Sequence, residues 1–181
     1  MSSGYTFLFL RGIISVKLIS IILANALILA GTVFLYIGIM RFFDKKENRG
    51  LIISIFSVYI LSFIYYTYFN DYITSRTVII YGIMGAVSFL IAWSIFFYKT
   101  VSVGASANFN TALFFTQGCF FSFRSIITLT VYPVDSLFTP AVLQELSFVF
   151  LFITGILVTF GLIIMLNQRL NSENSEDKEN L

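Results

Sequence analysis

Hydrophobic positions in this chain fall in long unbroken runs rather than in the alternation expected of elements with one wet face. Five runs reach the roughly 20 residues a helix needs to cross about 30 Å of hydrocarbon at ~1.5 Å per residue. They are Leu18 to Met40, Leu51 to Phe69, Thr74 to Tyr98, Phe109 to Tyr132 and Leu146 to Leu166. In lipid, backbone groups must be satisfied within a helix or a closed barrel, and barrel strands alternate apolar and polar residues, as these runs do not. The pattern predicts an all-α fold: a polytopic transmembrane bundle of five spans within residues 18–170.

The flanks differ. Residues 1–17 hold one short apolar stretch, YTFLFL, followed by Arg11 and Lys17, the reverse of the order in a secretory signal. They are read as an interfacial segment or as the end of a truncated helix, to which 5–10 would belong. Residues 171–181, NSENSEDKENL, carry four acids and one Lys with little to bury, and are expected to form a disordered tail or a truncated helix. Connections are short. The longest, about Pro133 to Glu145, is broken at Tyr132-Pro133 and Thr139-Pro140.

Composition narrows the function. Apolar residues make up 58% of the 181 and charged ones 11%, against about 45–50% and 25% in a soluble domain, so a water-soluble globular fold is excluded. There is no His and a single Cys, Cys119. That removes a bis-His haem, the usual zinc sites, an internal disulfide and a phosphorylatable histidine. No phosphate loop, nucleophile elbow or Cys-x-x-Cys is present, so neither catalysis nor a cofactor or metal is expected. The net charge of +2 gives no reason to invoke nucleic acid. The expected partner is the lipid bilayer of the cell membrane.

Where the charges lie predicts orientation. Arg41, Lys45, Lys46 and Arg49 crowd one loop, and placing it inside also places Lys99, Arg169 and Lys178 inside, leaving Arg11, Lys17 and Arg76 outside. The N-terminus is therefore expected outside and the C-terminus in the cytoplasm. Aromatic residues support this, with Tyr65, Tyr66, Tyr68 and Tyr72 at the outer edge and Trp93, Phe96, Phe97 and Tyr98 at the inner.

Only the fourth span carries a charge in its interior, Arg124, about seven residues or roughly 10 Å from its outer end. Asn110, Gln117 and Arg124 recur every seven residues and Thr128 follows, so all four share one helix face and should look into the bundle or a wet cavity. Arg124 is read as an anion anchor or as half of an ion pair, with Glu145, Asp135 and Asp71 as candidate partners. Small residues supply packing faces: Ala24, Gly31 and Gly38 on the first helix and Gly82 with Ala86 on the third, suited to contacts within the bundle or to a homodimer seam. Asn25 can hydrogen-bond between helices. Cys119 reads as a small buried hydrophobe. No carboxylate lies deep in a span, which argues against proton-coupled transport.

The run Leu10 to Phe43, with Asn25, Gly31, Gly38, Arg41 and Phe42, resembles the membrane-embedded input regions of prokaryotic sensor histidine kinases and diguanylate cyclases. The fourth span with Arg124 and the exit LIIMLNQRL (Leu162 to Leu170) are similar to that type. The resemblance implies a signalling helix leading to a cytoplasmic kinase or cyclase output domain, in a two-component system or its cyclase counterpart. The chain departs from the pattern: it has no phosphotransfer His and no cyclase signature, and stops soon after Leu170, as a fragment or a module working through a partner would. The leading expectation is a membrane sensor-like module that relays a stimulus from the outer half of the bundle through the last helix. The alternatives are a small transporter or channel subunit with a polar path along Gln117 and Arg124, and a structural assembly subunit.

Overall fold

A computed structural model describes residues 22–69, 72–130 and 142–179. Five helices result: α1 (Ala24–Phe42), α2 (Arg49–Ile64, prolonged by a π-helical turn, Tyr65–Phe69), α3 (Ile73–Tyr98), α4 (Gly104–Thr130, preceded by a 3₁₀ turn, Val101–Val103) and α5 (Val142–Glu179). All five are long and apolar enough to cross a membrane, and among the described residues there is no strand. The chain is an all-α, multi-span membrane bundle. The expected segment 1–17 and most of the connection before α5 lie outside the described residues.

The spans begin and end where capping chemistry permits. Asn48, in extended conformation, caps α2 by accepting a hydrogen bond from the Leu51 amide at 3.1 Å. At the end of α1 the amides of Asp44 and Lys45 donate to the carbonyls of Arg41 and Met40, the pairing of a Schellman motif. Its left-handed position is filled by Asp44, at φ 54°, where glycine is usual.

Two spans outrun the apolar signal. α4 starts at Gly104, earlier than Phe109, because Ser106 Oγ and Asn110 Nδ2 find internal acceptors: Gln168 Oε1 at 2.5 Å and the Ser106 carbonyl at 3.0 Å. α5 continues to Glu179, the helical of the two alternatives expected for the residues from 171. An i,i+4 pair, Arg169 Nε to Glu173 Oε1 at 2.7 Å, and the bond from Ser175 Oγ to the Asn171 carbonyl support the added turns.

α3 is the centre of the bundle. It packs most extensively on α4 and also meets α1 and α2, while α5 leans on α4. The α3–α4 approach is close. A Cβ on Gly118 would lie 2.8 Å from the Phe89 ring, and one on Gly85 would lie 3.1 Å from Ser122 Oγ. The expected small-residue seam is thereby shifted: Gly82 and Ala86 are exposed, and the buried small residues of α3 include Gly85, Ser88, Ala92 and Ser94. The buried face follows Met84, Val87, Ser88, Ile91 and Ile95, which turns Gly82 and Ala86 to its flank.

On α1 the stripe Ala24, Gly31 and Gly38 also fails to make a continuous seam. Ala24 is buried, Gly31 borders a cleft, and a Cβ on Gly38 would touch nothing within 4 Å. The reason is spatial: α1 and α5 do not pack against each other along this side. Asn25 is half-buried and engaged in an interaction, whereas Cys119, expected to be buried, is exposed, because the next residue after buried Gly118 turns off the packed face of α4.

Candidate functional site

The heptad spacing on α4 does place Asn110, Gln117, Arg124 and Thr128 toward the bundle, but in three different environments. Asn110, fully buried, donates from Nδ2 to the Ser106 carbonyl, while its Oδ1 has no hydrogen-bond partner. It is sealed by α5, since a Cβ built on Gly161 would come within 2.5 Å of that oxygen. One and three turns farther along, Phe114 and Phe121 fill the face. They interrupt the polar stripe.

Gln117 is half-buried and borders a cleft of about 500 Å³ between α1, α4 and α5. The cleft exists because α5 stays clear of α1. Its walls are mainly apolar, with Thr32, Gln117 and Thr159 as the polar exceptions. Thr32 and Thr159 are already committed, each donating to the carbonyl four residues back. Gln117 Nε2 and Oε1 are therefore the groups free to orient an occupant. Gly155 also lines the cleft, and a Cβ there would meet nothing within 4 Å, so the space begins at the α5 backbone.

Arg124 lies one turn beyond Phe121, roughly 4.5 Å farther along the axis. It is 5% exposed. Its guanidinium sits over the Tyr81 ring, 5.7 Å from the centroid, and Tyr81 in turn stacks on Phe121 at 5.9 Å. Its Nε is buried without a hydrogen-bond partner. A turn later, Thr128 is 1% exposed and its hydroxyl also lacks one. That is unusual in this bundle: Thr32, Thr77, Thr111, Thr130, Thr154 and Thr159 all donate to the carbonyl four residues back. Thr128 does not use the Arg124 carbonyl.

Of the expected partners for Arg124, Glu145 is exposed on the first turn of α5, and no ion pair joins the two among the described residues. Asp71 and Asp135 lie outside the described residues. A guanidinium at a helix centre costs about 2.5–3.5 kcal/mol on insertion scales, less toward an edge. The Tyr81 face recovers only part of that, on the order of 0.5–2 kcal/mol.

Two features escape sequence reading. Arg76, expected among the loop charges, is 5% exposed and donates from Nη1 to the Tyr66 carbonyl at 2.9 Å, closing the π-helical end of α2. It adds a second buried positive charge near the Arg124 end of the bundle, where Ser125 Oγ donates to the Val78 carbonyl across α3 and α4. At the opposite end, Arg169 of α5 grips the end of α1. It donates to the Phe42 carbonyl, pairs with Asp44 Oδ2 at 2.9 Å and covers the Phe42 ring at 5.2 Å. No spacing rule links residues 127 positions apart.

In the loop after α1, Glu47 lies between Arg41 and Arg49. A hydrogen bond from its own backbone, and then these two guanidinium groups, hold its carboxyl below the usual range. Among the described residues no cluster of His, Cys, Asp or Glu could hold a metal. Comparison of the chain with protein-family models, curated proteins and solved structures gives no match, so the reading of this site rests on its own geometry.

Proposed function

We propose that this chain is a membrane signal-input module in which occupancy of the cleft between α1 and α5 is read out as a displacement of α5. One observation carries the reading. α5 forms one wall of the cleft through Gly155 and Thr159, and the same unbroken helix runs on to Arg169 and Glu173, where the Arg169 contacts tie it to α1. A helix propped at mid-depth and pinned at its exit converts a change in spacing into a change in tilt. Such a change needs a ligand with different affinity for the two arrangements.

The orientation proposed is the one the basic residues favour, with the Arg41–Arg49 loop and the end of α5 in the cytoplasm. A cytoplasmic partner, a kinase or cyclase output domain, would then receive the movement, as in the input regions the sequence resembles. The interruption of the α4 stripe by Phe114 and Phe121, and the sealing of Asn110 by Gly161, weigh against a continuous polar path of the kind a channel needs.

The test uses no ligand. With Cys119→Ser as background, spin labels at Lys46→Cys and Asn174→Cys report the spacing of α1 and α5 at their cytoplasmic ends. Gly155→Leu, which fills the cleft, and Arg169→Ala, which frees the exit, should each shift the interspin distance distribution. A distribution unmoved by both variants would sink the proposal.

A further inference from the structure

Resting on that reading, we infer that the cleft takes a single-chain amphiphile with an anionic head: the chain lies along Gly155 and Gln117, and the head meets Arg124 and Thr128. The juxtaposition is specific. An apolar space of about 500 Å³, within the usual size of a small-molecule site, is lined on α4 by Phe114, Gln117 and Phe121, and Arg124, buried and outside that lining, follows one turn beyond Phe121.

Two physical points select the class. The lining is too apolar to replace the hydration of a wholly polar ligand, since burying polar groups without partners costs several kcal/mol. It suits hydrocarbon. Arg124 Nε and the Thr128 hydroxyl are donors without acceptors, four residues and roughly 6 Å apart along α4. A carboxylate or phosphate supplies acceptors for both and a charge opposite to that of Arg124.

The head chemistry could come from a bilayer lipid or from an amphiphile arriving through water, and the experiment separates the two. The full chain is placed in nanodiscs of phosphatidylcholine. Dodecyl phosphate, dodecanol and inorganic phosphate are titrated from solution by calorimetry. A parallel set of discs containing lysophosphatidic acid is analysed by native mass spectrometry for retained lipid. Dodecyl phosphate should bind at least tenfold more tightly than dodecanol, with inorganic phosphate showing no binding. Arg124→Gln should bring dodecyl phosphate down to the dodecanol level, and Arg124→Lys should restore most of the difference. Gly155→Leu should weaken both chain-bearing probes. Retention of lysophosphatidic acid alone identifies a bilayer source, and binding of dodecyl phosphate alone identifies a soluble one.

Equal affinity for the phosphate and the alcohol, indifference to Arg124→Gln, or inorganic phosphate binding as tightly as dodecyl phosphate would each overturn the inference, as would binding of none of the probes. Should Arg124→Gln fail to fold, Thr128→Val and Gly155→Leu carry the same test. The Lys46–Asn174 distance, followed in the same discs, keeps the two proposals apart. Binding without movement removes the signalling reading and keeps the ligand; movement on filling the cleft without binding does the reverse.

Discussion

Gly161→Ala is the sharpest test of how α5 sits on α4. The added methyl carbon would lie 2.5 Å from Asn110 Oδ1 and 2.9 Å from Nδ2, well inside contact distance. Asn110 is fully buried, so its amide cannot swing into open space. Either α5 moves outward, at the ~1–3 kcal/mol typical of overpacking, or the amide rotates and gives up its bond to the Ser106 carbonyl, worth about 0.5–1.5 kcal/mol. Alanine returns up to ~1 kcal/mol through helix propensity. The expected net loss is about 0–2 kcal/mol.

The control is the double variant. Asn110→Ala alone removes one hydrogen bond but also an unpartnered buried oxygen, so its effect should be small, about 0–1 kcal/mol. Combined with Gly161→Ala it removes the clash, and the double variant should be more stable than Gly161→Ala alone, with a coupling energy of about 1–3 kcal/mol. Reversible unfolding in mixed micelles measures all four proteins. Gly161→Ala at native stability, with strictly additive effects, would mean that α5 does not press on Asn110 and that the α4–α5 contact is wrongly drawn.

Gly118→Ala should destabilise the α3–α4 contact by about 1–3 kcal/mol, because its methyl group meets the Phe89 ring; Phe89→Leu in the same protein should recover part of the loss in the same unfolding assay. Asp44→Gly relieves a left-handed residue, about 1 kcal/mol, and forfeits an exposed ion pair worth about 0–1 kcal/mol. Its stability should therefore stay within about 1 kcal/mol of the parent while the spacing of α1 and α5 widens, and a loss beyond ~2 kcal/mol would contradict this. Glu47 has a lowered folded-state pKa, so it binds protons less readily folded than unfolded and stabilises the loop above its unfolded value, ~4.3. That contribution should vanish as pH falls through the folded value: the melting temperatures of the parent and Glu47→Gln should differ at neutral pH and converge in acid, and a constant gap would refute the pairing.

The spans were legible because length and continuity of apolar residues are what the bilayer demands. The α4 face was legible for the same reason: sevenfold spacing puts Asn110, Gln117 and Arg124 on one side whatever the neighbours do. What they meet there was not. The residues between them, Phe114 and Phe121, divide the stripe into a sealed amide, a cleft and a buried cation, and that division depends on how α5 approaches. Arg76 read as a loop charge because its burial comes from a reach back to Tyr66, across a turn whose path no periodicity encodes. Glycine is the most instructive case. Gly85 and Gly118 mark backbones pressed together, whereas Gly155 borders empty space, and the letters are identical in the sequence. In water, missing side chains on a buried face would be closed over by hydrophobic collapse, but in hydrocarbon no such force draws helices together. A small residue in a span therefore specifies only that another body can come close. In this bundle that body is a neighbouring helix at Gly118 and, if the cleft is a ligand site, an acyl chain at Gly155.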